Sequence, residues 1–143
     1  MEKNVEFLKM AYCLALLSPD PSTQNGAIVV PLEDSKNRTG GGPNRFPPGV
    51  KALPDRLLRP KKYAFMEHAE RYAIFQAAKE GIKLEGATMY VCWAACADCA
   101  RAIICSGIKK VVTDKRTFDK SPVHWKETID YAYEMFADAN KIG

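Results

Sequence analysis

Long apolar runs, histidine and excess charge are what this sequence is short of. No stretch approaches the roughly 20 apolar residues that a membrane span needs. The longest early run, Met10 to Leu17, is short, and Glu2, Lys3, Glu6 and Lys9 precede it in place of a basic segment. No secretory leader is expected, and a cytoplasmic location is. The net charge is only +4 over 143 residues, less than a strong nucleic-acid binder usually carries. Histidine is confined to His68 and His124, so imidazole chemistry has two addresses. The five cysteines are an odd number, which argues against a complete disulfide framework. In a reducing compartment, clustered cysteines more often bind metal or react.

What is present fits one globular domain over residues 1–143, with 47% hydrophobic and 27% charged residues and enough length for one good core. Charge is unevenly placed. Between Lys36 and Lys62 lie eight basic residues (Lys36, Arg38, Arg45, Lys51, Arg56, Arg59, Lys61 and Lys62) against a single acid, Asp55. Such an excess suits a modest anionic partner, or is simply a solvated basic loop.

Periodicity orders the chain. Val5 to Leu17 reads as an amphipathic helix with Phe7, Ala11 and Leu14 on one face. Gly26 to Val30 reads as a strand. From Leu32 to about Phe65 the chain is irregular, residues 31–66 holding six of the nine prolines, with one strand expected near Arg38 to Gly42. Loops this long are commonly functional. Helix Glu67–Glu80, strand Ala87–Trp93, helix Cys96–Ser106 and strand Lys109–Thr113 then alternate. Ser121-Pro122 opens a last helix, with Trp125, Ile129, Ala132 and Phe136 as its apolar stripe. This order predicts an α/β layered fold, with the last two strands parallel neighbours and both intervening helix starts at one rim of the sheet.

Two short motifs meet at that rim. Cys96 and Cys99, three apart, present both sulfurs on one helical face, and a helix N-terminus favours thiolate. His68 is the natural third ligand for Zn²⁺, and three protein ligands are the catalytic arrangement, not the structural one. Glu70 is two residues from His68, so on a regular helix the two point almost oppositely. From the first turn a long Glu still reaches water on the metal, which suits a proton shuttle. Taken singly, the His reads as a cap, the Glu as a dipole partner and the CxxC as a redox pair. Together, H-x-E opening one helix and C-x-x-C opening the next match a nucleobase-deaminase signature. Cys13, Cys92 and Cys105 read as structural, with Cys13 and Cys105 on apolar helix faces and Cys92 buried in a strand.

The segments "RPKKYAFMEHAERYAI", "GATMYVCWAACADCARAIICSGIKKVV", "DPSTQNGAIVV" and "GGPNRFPPGV" resemble deoxycytidylate (dCMP) deaminases of the zinc-dependent cytidine deaminase superfamily, over roughly Ser18 to Val112. The resemblance implies a three-layer α-β-α cytidine-deaminase-like fold, with a mixed sheet of four or five strands and helices on both faces. It implies His68, Cys96 and Cys99 as zinc ligands and Glu70 as the acid–base. Asn44 would hold the sugar, and Ala69, Trp93 and Ala94 would meet the pyrimidine, with Thr23, Arg45 and Tyr72 as further substrate contacts. Arg45 is the first choice for phosphate, followed by Lys51, Arg56, Arg59, Lys61 and Lys62. The expected reaction is hydrolytic deamination of dCMP to dUMP and ammonia. The rivals are a base deaminase acting on tRNA or single-stranded DNA, and a non-catalytic zinc-binding relative. A homo-oligomer, dimer or hexamer, and dCTP/dTTP regulation are further implications. Two positions depart from the pattern: Ala95 where the family has Pro, and Tyr72 where it commonly has Asn. The preference among dCMP, dCTP and 5-modified dCMP stays open.

Overall fold

The computed structural model describes residues 2–140. The expected domain of 1–143 therefore includes residue 1 and residues 141–143, which lie outside the described residues. The elements are α1 (Glu2–Ala15), β1 (Gly26–Val30), β2 (Gly40–Pro43), α2 (Lys62–Phe65), α3 (Ala69–Glu80), β3 (Thr88–Val91), α4 (Ala97–Cys105), β4 (Lys110–Thr113), α5 (Lys115–Asp119) and α6 (Lys126–Asp138). The strands form one mixed sheet in the order β2-β1-β3-β4. β1 is antiparallel to both β2 and β3, while β3 and β4 are parallel, as their helical crossover requires.

β1 is buried on both faces because it is central. Ala27 and Val29 join the main core with Ala69, Ala73 and Ala77 of α3, and with Met89 and Val91 of β3. The opposite face is covered by α1. Gly26 allows that approach, since a Cβ there would overlap the Ala11 carbonyl oxygen. On the other side, α4 packs on α6. Ile129, Ala132 and Phe136 are buried and Trp125 packs against the core, so the stripe behaves as the sequence predicts.

β2 is an edge strand with the sequence Gly-Gly-Gly-Pro. Pro43 is tolerated there because an edge demands fewer ladder donors. The glycines admit close neighbours: a side chain on Gly40 would meet Val29 and Ala73, and one on Gly42 would strike the Tyr72 ring. Ala73 and Ala77 of α3 therefore lie almost directly on the Gly40 backbone. Gly81 ends α3 at φ 69°, the left-handed cap the sequence signals.

Three local readings change. The long loop holds the expected strand as β2 and, beyond it, a 3₁₀ turn at Pro54–Leu57 and α2, which were not expected. α5 is additional; its Asp114 N-cap accepts from the Arg116 N–H, a signal that five residues of helix make easy to overlook. Ser121-Pro122 opens a 3₁₀ turn, Val123–Trp125, and α6 starts only at Lys126.

Candidate active site and metal centre

His68 and Cys96 occupy equivalent places. Each is the N-cap of its helix, with extended backbone (φ −72°, ψ 147° and φ −79°, ψ 171°), and neither side chain caps its own helix. Both side chains are thus free to project beyond the helix ends. This resolves the angular problem of H-x-E: His68 stands before the helix and Glu70 within its first turn, so the regular-helix geometry that would separate them does not apply. The N–H of Ala97 is satisfied from outside, by Thr128 Oγ1 of α6 at 2.8 Å.

The two helix starts converge. His68 Nδ1 lies 3.5 Å from Cys96 Sγ and 3.4 Å from Cys99 Sγ, and all donor atoms fall within 4.8 Å of one another. Zn–S of about 2.3 Å and Zn–N of about 2.0–2.1 Å at tetrahedral angles require N···S near 3.6 Å. The imidazole nitrogen therefore stands from both sulfurs at about the separation that one zinc ion requires. Among the described residues no fourth His, Cys, Asp or Glu joins the cluster, and Glu70 is not part of it.

Electrostatics follow from this crowding. The hydrogen bond with Cys99 holds the Cys96 thiol down, at about 4, with His68 adding to the effect. Burial opposes a charge on His68, yet the Cys96 hydrogen bond and the Glu70 and Cys96 charges turn its net shift upward. Glu70, only 2% exposed, is pushed up to about 7 by burial.

A cavity opens over the cluster. Of the residues expected from sequence, Thr23, Asn44, His68, Ala69, Glu70, Trp93, Ala94 and Cys96 line it. Cys99 is fully buried and does not line the cavity. Asn44 is held on three sides: its Oδ1 accepts from the Asn25 N–H at 2.8 Å, while its amide donates to the Thr23 carbonyl at 2.9 Å and to Asp20 at 3.4 Å. Arg45 and Tyr72 fall outside the lining and face each other. The Arg45 guanidinium sits 5.0 Å from the Tyr72 ring centroid, and its Nε donates to the Phe46 carbonyl. The cause is local: Arg45 pairs through its backbone with Glu67, and the Tyr72 ring covers the bare face of Gly42.

Cations reach the cavity from elsewhere. Lys62 and Arg59 line it, with Tyr63 and Trp125. Lys62 Nζ contacts Asp20 Oδ1 at 3.2 Å, with both side chains almost fully buried. Asp20 also accepts from the Ser22 and Thr23 N–H groups. Tyr63 meets Trp125 edge-on at 6.0 Å, and Trp125 meets His68 edge-on at 6.1 Å. The sequence named Lys62 and Arg59 only among many loop cations, and Asn25, Tyr63 and Trp125 not at all as cavity residues; three-residue motifs carry no signal for them.

Residues 1–115 match the family model described as "Cytidine and deoxycytidylate deaminase zinc-binding region". The chain belongs to this family. It is thus a zinc-binding hydrolytic deaminase by membership, and the three-donor cluster is a fitting place for the ion. An uncharacterized deaminase in the luxG 3′ region of Aliivibrio fischeri is 37% identical over 134 residues, covering 93% of this deaminase and 86% of that protein. The deoxycytidylate deaminase of Mus musculus is 37% identical over 112 residues, covering 74% of this chain and 61% of the mouse enzyme. The crystal structure of dCMP deaminase from the cyanophage S-TIM5 superposes with a TM-score of 0.65 at 26% identity, covering 78% of this deaminase and 82% of that chain. Cys92 is buried as expected, whereas Cys13 and Cys105 are exposed, contrary to the apolar faces read from sequence.

Proposed function

We propose that this deaminase converts dCMP to dUMP and ammonia, with His68, Cys96 and Cys99 as the zinc ligands and Glu70 as the acid–base. The observation that carries the reading is convergence. One cavity is lined by His68 and Cys96 of the donor cluster, by the buried Glu70 carboxyl, and by the cations Lys62 and Arg59. Deoxycytidylate deaminases among the relatives support the choice of substrate.

Zinc held there would supply Lewis acidity that makes a water nucleophilic near neutral pH. Glu70 takes a proton from that water and delivers it to ring N3. As C4 gains the water oxygen, Glu70 transfers the second proton to the departing amine, which leaves as ammonia. Trp93 and Ala94 border the pyrimidine, and Asn44 holds the sugar. Lys62 and Arg59 face the phosphate, replacing Arg45 as first choice because Arg45 is engaged with Tyr72. Asp20 keeps the Lys62 ammonium in place.

The test is ammonia release by the zinc-loaded enzyme from cytidine, CMP, dCMP, dCTP and single-stranded DNA. Turnover of dCMP with none of the oligonucleotide is the expected result, and the reverse would move the substrate to nucleic acid. The same reading includes a cytoplasmic homo-oligomer, dimer or hexamer, regulated by dCTP and dTTP; sedimentation with and without each nucleotide checks both. Among the described residues, no helix is long and apolar enough to cross a membrane.

A further inference from the structure

Asn25 ends the loop that leads into β1, and its side chain lines the same cavity. Its amide has three contacts. Oδ1 accepts from the N–H of Gly26 at 2.9 Å and of Trp93 at 3.2 Å. Nδ2 donates to Glu70 Oε1 at 3.2 Å. The two backbone donors fix which end of the amide is which, because an amide turned over would set NH₂ against N–H. The NH₂ group therefore faces the carboxylate by necessity. The backbone is equally constrained: the Asn25 N–H donates to Asn44 Oδ1 at 2.8 Å, and its carbonyl accepts from the Asn44 N–H at 3.1 Å.

Among the described residues, Asn25 is the one side chain that hydrogen-bonds to the Glu70 carboxylate. A glutamate's terminal torsion is broad and twofold, so an untethered carboxylate samples orientations that cannot exchange a proton with substrate. We infer that Asn25 is a positioning residue for Glu70, holding one carboxylate oxygen so that the other is directed to the reacting atoms. It acts through Glu70 and touches neither proton nor metal. The inference rests on the acid–base role proposed for Glu70. Its benefit is orientation secured before the reaction begins.

The experiment compares zinc-loaded wild type with Asn25→Asp, Asn25→Ala, Glu70→Ala and the Asn25→Asp/Glu70→Ala double variant. Asn25→Asp retains an acceptor for Gly26 and Trp93, and so preserves the loop, but replaces the donor facing Glu70. With dCMP, kcat should fall about ten- to hundredfold, the range for a hydrogen bond to a charged group, with KM within about twofold and zinc content unchanged. In the Glu70→Ala background the Asn25 change should have no further effect. Crystal structures should show the Glu70 carboxylate rotated or in several conformers in Asn25→Ala. An unchanged kcat, an equal loss without Glu70, or an unmoved carboxylate would overturn the inference. Were wild type inactive on every cytosine compound, the functional reading would fail by itself, and the carboxylate position in the crystals would still decide for or against Asn25.

Discussion

Replacing Lys62 by Met tests whether the cationic wall of the cavity is structural as well as substrate-facing. The Lys62 and Asp20 side chains are 6% and 5% exposed and 3.2 Å apart. Removing one partner of a buried pair typically costs about 3–5 kcal/mol, because the remaining charge is left uncompensated. Asp20 would still accept from Ser22, Thr23 and Asn44, so the lower end applies, about 3 kcal/mol. A chain of 143 residues shifts by roughly 3–4 °C per kcal/mol, so Tm should drop by roughly 10 °C. Urea melts of the zinc-loaded protein should give the same difference with an unchanged m-value. Asp20→Asn combined with Lys62→Met should recover part of the loss, because a neutral amide oxygen still accepts from Ser22 and Thr23. High salt should alter the effect little, since buried pairs are poorly screened. A fall of less than about 3 °C, or one abolished by salt, would show that the pair is solvated and contributes as little as an exposed one.

Glu70→Ala should keep its zinc by metal analysis while losing about 10²–10⁴-fold in ammonia release; near-normal turnover would end its acid–base role. Cys96→Ala or Cys99→Ala should bind less than one zinc per chain and melt lower, and an unchanged stoichiometry would refute the ligand assignment. In zinc-loaded native protein, the exposed Cys13 and Cys105 should label rapidly, while Cys92, buried and pushed up to about 12 chiefly by desolvation, should react only after unfolding. Burial and then Asp114 raise the Tyr12 phenol to about 12, so its folded value exceeds the unfolded one of about 10. Its contribution is present below pH 10 and is lost as pH rises through about 12. Tyr12→Phe should therefore weaken the alkaline fall in stability seen by denaturant titration, and an identical profile would contradict the assignment.

The elements around the reaction centre were legible because they obey short-range rules. Val-rich β1 and the capped α3 fall where alternation and Gly81 place them. His68, Cys96 and Cys99 could be grouped from sequence because both helix starts had to reach one sheet rim. The cavity's far wall was not legible. Of the six loop cations only Lys62 and Arg59 reach the cavity, and Lys62 does so buried against Asp20, 42 residues away, which nothing local encodes. Arg45 stands outside the cavity lining for a comparable reason: Tyr72, on another element, covers Gly42 and holds the guanidinium over its ring. Asn25 reads as an ordinary turn residue until Glu70 is folded against it.

The bare edge strand has a consequence for how this protein can change. Because β2 brings bare glycine backbone to α3, the platform under His68 and Glu70 is levelled by the Ala73 carbonyl against Gly40 and by the Tyr72 ring against Gly42. One added methyl at Gly40 would press on the Val29 side chain and the Ala73 carbonyl, and one at Gly42 would displace the Tyr72 ring. Drift at this edge is thus channelled: the seat of the chemistry is hostage to the hydrogen atoms of two glycines.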